Sequence, residues 1–72
     1  MERFGEKLHA LRERHQLTVR QLAEALEIKS SGYITGLEKG EKMPSISLLL
    51  KISQFFNIST DKLLKDDLEL DS

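Results

Sequence analysis

Leu17-Thr18-Val19-Arg20-Gln21-Leu22-Ala23-Glu24-Ala25-Leu26 is followed, after Glu27-Ile28-Lys29, by Ser30-Ser31-Gly32-Tyr33-Ile34-Thr35-Gly36-Leu37-Glu38-Lys39-Gly40, and these residues carry the patterns of two short, closely linked helices. Val19, Leu22, Ala23 and Leu26 recur at i, i+3, i+4 and i+7, which is one face of a helix. Thr18 with Gln21 three residues on reads as a capping box: the hydroxyl accepts from a first-turn amide and the glutamine reaches back. Leu17 and Leu22 bracket that cap as a hydrophobic staple. Ile34 and Leu37, three apart, mark the inner face of a second helix capped by Ser30. Gly40, after Leu37-Glu38-Lys39, suits the left-handed residue that stops it.

The same logic extends to both sides. Phe4, Leu8 and Leu11 form a stripe before the central pair, and Ile46, Leu49, Ser53 and Phe56, with Ile52 beside them, form one after it. Ser45 caps a fourth helix with Pro44 just outside, and Ser59 caps a fifth, stapled by Ile58 and Leu63. The helices are expected near 2–14, 18–26, 30–39, 45–56 and 59–65. Strict alternation is confined to Leu68-Glu69-Leu70, so the class is all-α, a five-helix domain over 1–65 with an acidic tail at 66–72. None of these helices is long enough to stand alone, and the short links force sharp corners rather than a bundle of long antiparallel helices. The pair at 18–26 and 30–39 has the dimensions of a helix-turn-helix.

At 72 residues the chain is one small domain with no room for a large enzyme cleft. It has no cysteine, hence neither a disulfide nor a thiolate metal site. The longest apolar run is Leu48-Leu49-Leu50, and Met1-Glu2-Arg3-Phe4-Gly5 lacks the apolar core of a signal peptide, so the expectation is a cytoplasmic protein without a membrane partner. His9 and His15, six residues apart, lie on different helical faces, so no metal is expected. Asp66-Asp67 read as solvation rather than paired catalytic acids; no catalytic residue and no cofactor are expected. The net charge of −1 hides an asymmetry: without Asp66, Asp67, Glu69 and Asp71, residues 1–65 carry +3. The tail should therefore lie away from a polyanion, or weaken nonspecific binding by swinging close.

The run 17–26, then Tyr33-Ile34-Thr35-Gly36-Leu37-Glu38-Lys39-Gly40, then Pro44-Ser45 and Leu49, resembles the Xre/Cro/C1 group of phage-repressor-like helix-turn-helix proteins. The resemblance covers roughly residues 4–65, including the ending Ile58-Ser59-Thr60-Asp61-Lys62-Leu63-Leu64. It implies five helices, the third lying in the major groove of double-stranded DNA, and a homodimer reading a palindrome. It implies that Arg12 and Glu38 form a pair bridging the first helix to the end of the third. It implies that Ser31, Gly32, Tyr33, Thr35 and Gly36 face base edges, and that Thr18, Arg20, Gln21, Lys39, Lys42 and Ser45 lie at phosphates. It also places the dimer contact in the region of the fourth and fifth helices.

Some of these roles can be weighed on their chemistry. A helix N-terminus with free amides at Ser31, Gly32 and Tyr33 suits approach to phosphate-lined DNA. With Ile34 and Leu37 inward, Tyr33, Thr35 and Gly36 face elsewhere, and Gly32 and Gly36 on an outer surface would let the backbone come close to a base edge. Ser31 and Thr35 hydroxyls discriminate bases weakly, and the surface lacks the glutamine or arginine that makes two parallel bonds to a base. Tyr33 is then either the largest reader or a half-buried tyrosine closing the corner. Lys29 reaches a guanine or a phosphate, or is a solvated turn lysine. Arg12 and Glu38 are either an ion pair whose attraction is offset by desolvation or independent surface charges.

Three features depart from the family. Gln16 and Glu27 stand where glycine usually ends the first two helices, and a left-handed residue there costs on the order of 1–2 kcal/mol. The link at Lys29-Ser30 is one residue longer than usual, and Val19 replaces a glutamine that commonly touches DNA. Leu48, Leu50, Phe55 and Leu64 do not fit one stripe, so an apolar patch including Leu48, Phe55, Leu64 and Leu68 is expected to pack on a second copy. Leu68 and Leu70 either extend that seam or belong to a frayed end. The expected function is a sequence-specific transcriptional regulator, a repressor, with half-sites about 34 Å apart. The alternative is an antitoxin or other interaction module with a toxin or other protein partner, favoured by the acidic pI and the small side chains of the third helix.

Overall fold

Local chemistry starts the helices. The structure is a computed structural model and describes residues 1–71: α1 (Phe4–Arg14), α2 (Val19–Ala25), α3 (Ser31–Glu38), α4 (Ile46–Phe56) and α5 (Thr60–Leu64), with no strand among the described residues. Thr18 Oγ1 accepts from the Gln21 amide at 3.0 Å and Gln21 Oε1 accepts from the Thr18 amide at 2.9 Å, a complete capping box. Ser45 accepts from the Leu48 amide and Ser59 from the Lys62 amide, both at 3.1 Å. Ser30 begins α3 without a side-chain cap bond.

The stops are less conventional. Gln16 (φ 55°), Glu27 (φ 61°) and Asn57 (φ 54°) all take the left-handed conformation, as does Gly40 (φ 78°). At each, the next residue's amide reaches five residues back: Leu17 to Arg12, Ile28 to Ala23, Ile58 to Ser53 and Glu41 to Gly36. This is the Schellman closure, built three times here without glycine. The apolar residue beyond the stop supplies the anchor, since Leu17, Ile28 and Ile58 all pack against the core.

Each helix sends at least one side chain into that core: Leu8, Leu22, Ile34, Leu37, Ile52 and Leu63 are fully buried. Burying such a side chain contributes roughly 1.5–3 kcal/mol. In α4 the buried stripe is Leu48, Ile52 and Phe56, not the expected stripe from Ile46; Ile46 is 79% exposed. The stripe at spacing of four turns α4 so that its first residue faces solvent. Leu48 is therefore part of the protomer's own core and is not on an exposed seam.

Two contacts bring α1 into place. Gly5 packs on the end of α3, and an ideal Cβ there would lie 2.5 Å from the Glu38 carbonyl oxygen. Lys7, 1% exposed, donates its ammonium to the carbonyls of Lys62 (2.6 Å) and Lys65 (2.7 Å), satisfying groups that the end of α5 leaves without helical partners.

The acidic segment is bound rather than free. Asp66 accepts from the amides of Glu2 (3.0 Å) and Arg3 (2.9 Å) and from the Met1 ammonium (3.3 Å). Arg3 pairs with Glu69 at 2.9 Å and Arg14 with Asp71 at 2.9 Å, while Leu70 packs against the core. Asp66, expected to serve only solvation, caps the chain where α1 begins, because amides ahead of a helix need an acceptor and a carboxylate suits that end. The bonds from Arg3 and Glu2 amides hold its carboxyl down at about 2. No helix among the described residues is long and apolar enough to cross a membrane.

Candidate nucleic-acid interface

Arg12 fixes the orientation of α3. Its Nε donates to Glu38 Oε2 at 2.6 Å, its Nη2 to Glu38 Oε1 at 3.1 Å and its Nη1 to the Leu17 carbonyl at 2.9 Å. One guanidinium therefore joins α1, the link to α2 and the last residue of α3. The Glu38 side chain is only 9% exposed. Burial alone would raise its carboxyl, but hydrogen bonds from Arg12 and His9, with their charges, outweigh it and hold the group below its ordinary value. The bond to Glu38 likewise raises Arg12 above its ordinary value.

His9 is the residue that sequence reasoning missed here. Its Nδ1 lies 2.8 Å from Glu38 Oε1 and its Nε2 lies 3.0 Å from Glu13 Oε1. The i, i+4 spacing of His9 and Glu13 was the available signal; the contact to Glu38 depends on packing. Among the described residues no group of histidine, cysteine and carboxylates is placed to hold a metal ion.

The outer surface of α3 is only partly open. Gly32 is exposed, and Ser31 and Thr35 are half-buried. Tyr33 is half-buried against the core, and its hydroxyl donates to the Met43 carbonyl at 3.1 Å. It thereby ties α3 to the link before α4. Gly36, expected on the outer face, is buried. The Lys42 stem lies across it, with Cγ 2.7 Å from where a Cβ would stand, and the Glu41 and Lys42 amides both bond to the Gly36 carbonyl. Periodicity turned Gly36 outward, but the following link folds back over it, so no base edge reaches it.

The charged surroundings fall into two sets. Arg3, Arg12, Arg14, Lys51 and Lys65 pair with carboxylates, and Lys7 with carbonyls. Of the eleven basic side chains, that leaves Arg20, Lys29, Lys39, Lys42 and Lys62 without such a partner among the described residues. Four of these five stand on α2, on the turn into α3 or just beyond α3, and all four are exposed. Arg20 and Lys29 line one cleft of about 420 Å³ with Ser30, Ser31 and Glu24. Thr18 and Gln21 are exposed at the start of α2, and Ser45 is exposed at the start of α4. Their capping bonds use the Thr18 and Ser45 oxygens as acceptors and the Gln21 carbonyl oxygen, leaving the hydroxyl protons and the Gln21 amide NH₂ as donors.

The exposed large apolar residues are Met43 (72%), Ile46 (79%), Leu50 (50%), Phe55 (44%) and Met1 (40%). Phe55 packs edge-on to Phe56 with ring centres 4.9 Å apart. Leu64 and Leu68 are half-buried.

Comparison with known proteins agrees with this architecture. The helix-turn-helix family profile matches residues 8–63. The chain is 39% identical over 64 residues to the HTH-type transcriptional activator BcrR of Enterococcus faecalis, covering 89% of this chain and 31% of that protein. It is 37% identical over 65 residues to the HTH-type transcriptional repressor RghR of Bacillus subtilis, covering 89% of this chain and 47% of that one. The chain thus spans between about a third and a half of these curated relatives. Among solved structures, the P22 c2 repressor in complex with a synthetic operator superposes with a TM-score of 0.81 at 30% identity, covering 89% of this chain and 96% of that one. With the profile spanning most of its length, and five helices stapled and capped in this order, the chain belongs to the helix-turn-helix family of Xre/Cro/C1 type.

Proposed function

We propose that the chain is a sequence-specific DNA-binding regulator of transcription that acts as a homodimer, each protomer laying α3 in the major groove of one half of a palindromic operator. The observation that carries this reading is the set of uncommitted cations. Arg20, Lys29, Lys39 and Lys42 flank α3, whereas the basic residues of α1 are engaged by carboxylates or carbonyls. A side chain held by a carboxylate offers little to a phosphate; an unpaired one offers its full charge.

Base readout then falls to Ser31, Thr35 and the bare backbone at Gly32, with Tyr33 and Gly36 supporting the surface from within. Thr18, Gln21 and Ser45 donate to phosphates from their capping positions. The dimer seam uses Phe55, Leu64 and Leu68, with Leu48 excluded by its burial. On this reading the protein acts as a repressor where its operator overlaps a promoter. Four cations in each of two protomers neutralise at most eight phosphates, so the salt slope is no steeper than about −7.

Selection of bound fragments from random duplex DNA, followed by fluorescence anisotropy at two salt concentrations, tests the reading. A selected palindrome should outcompete random DNA. Lys39→Ala and Lys42→Ala should weaken every sequence alike and flatten the salt slope, whereas Thr35→Ala should lower selectivity. If no sequence outcompetes random DNA, the reading is overturned in favour of an interaction module with the same fold. Phe55→Glu should make the protein monomeric in sedimentation equilibrium; a dimer that survives it places the seam elsewhere.

A further inference from the structure

We infer that Val19 and Thr35 form an apolar notch that takes the 5-methyl group of a pyrimidine in the major groove. This inference deepens the proposed function and rests on α3 docking there. Val19 is the first residue of α2, half-buried and packed against the core. Thr35 is half-buried on α3, and both residues line one crevice of about 430 Å³ between α1, α2 and α3. The Thr35 hydroxyl is turned back toward the Ser31 carbonyl of its own helix at 3.5 Å, so the γ-methyl is the group it leaves unengaged. The crevice therefore presents hydrocarbon from two helices at a place flanked by hydrogen-bonding groups.

Charge fits the same occupant. Glu38 in the crevice wall is compensated by Arg12 and His9, and Glu6 at its edge is held by Arg3 at 3.0 Å. Neither carboxylate is left uncompensated to repel a phosphate. Lys39, which also lines the crevice, has no carboxylate partner among the described residues, so its charge is free for the backbone of a duplex seated there. A major-groove base edge is otherwise made of donors and acceptors; its one apolar group is the methyl on C5 of thymine, or of cytosine when methylated. An apolar notch on a reading surface without glutamine or arginine has only that group to read.

The test uses the operator obtained by selection. Each thymine is replaced by deoxyuridine symmetrically in both half-sites, and in a second arm each cytosine by 5-methylcytosine; affinities are compared by anisotropy for the native chain, Val19→Ala and Thr35→Ser. Removing the read methyl should weaken binding by the transfer of one buried carbon, roughly fourfold per half-site. Val19→Ala and Thr35→Ser should each shrink that ratio toward one. A loss at one thymine assigns the notch to thymine; a gain at one cytosine assigns it to 5-methylcytosine. An operator bound selectively but indifferent to every methyl overturns the notch and leaves the proposed function standing, as does a methyl effect unchanged in both variants. Failure to select any operator overturns both.

Discussion

Gly5→Ala should destabilise the fold, although alanine is the better helix former. The substitution gains up to about 1 kcal/mol of helix propensity in α1. Against this, the new Cβ stands 2.5 Å from the Glu38 carbonyl oxygen, 2.6 Å from the Leu37 carbonyl oxygen and 2.9 Å from the Glu38 carbonyl carbon. Ordinary contact requires about 1 Å more. The obstructing atoms are backbone, so no side chain can rotate aside, and α1 must lift from the end of α3. Overpacking of this kind costs roughly 1–3 kcal/mol, and a backbone clash belongs at the upper end. The net loss is then about 2 kcal/mol, or a melting temperature lower by about 8–16 °C for a domain of this size. Lifting α1 also stretches the 2.6 Å contact between Arg12 and Glu38. Gly32→Ala is the matched control: it is exposed, and its Cβ meets only Ser30 Oγ at 3.3 Å, so helix propensity decides and stability should hold or rise. Thermal melts by circular dichroism and urea titration read both. A melting temperature for Gly5→Ala equal to or above that of the native chain would falsify the reasoning that close backbone approach, not propensity, fixes this residue.

Three further perturbations probe other joints. Lys7→Met removes an ammonium from the carbonyls of Lys62 and Lys65 and should cost about 3 kcal/mol in urea unfolding, with faster amide exchange concentrated in α5; uniform exchange along the chain would contradict a local latch. Glu27→Gly relieves a left-handed residue and should stabilise by up to about 1 kcal/mol after the added chain entropy is subtracted, read as a higher urea midpoint. Asp66 is held at about 2 against an ordinary 3.8, so its contribution is complete above the ordinary value and disappears as pH falls toward 2. Asp66→Asn should accordingly lower the melting temperature at neutral pH and flatten its fall across that acid window; parallel curves would show that the carboxylate adds nothing.

The helices were legible because their signals are local. A Thr18–Gln21 box or a Ser45 cap needs no partner more than three residues away. The stops at Gln16 and Glu27 were harder, since the residue type opposes the conformation, whereas Asn57 tolerates it. There the information lies one residue on, in Leu17, Ile28 and Ile58, whose burial pulls the chain through the left-handed turn. The rotation of α4 was misread because apolar residues on two overlapping stripes compete for the core, and packing against the other helices selects Leu48-Ile52-Phe56. Gly36 was misread for a related reason: helix periodicity describes a helix in isolation, while Lys42 from the next link covers it.

Contacts between distant residues left no trace in spacing. Arg12 and Glu38 are 26 residues apart and entered only through a family resemblance; Asp66 and Arg3 are separated by 63 and had no such aid. This matters for electrostatics, because net charge counts groups without saying which are already spent. The total of −1 makes the chain look indifferent to a polyanion. The tail carboxylates Asp66, Glu69 and Asp71 are taken up by the chain start, Arg3 and Arg14, while Glu38 is taken up by Arg12 and His9. Arg20, Lys29, Lys39 and Lys42, around α3, stay without a carboxylate partner among the described residues. A nearly neutral protein can thus present a locally positive face, provided that folding lets its acids consume the basic residues elsewhere first.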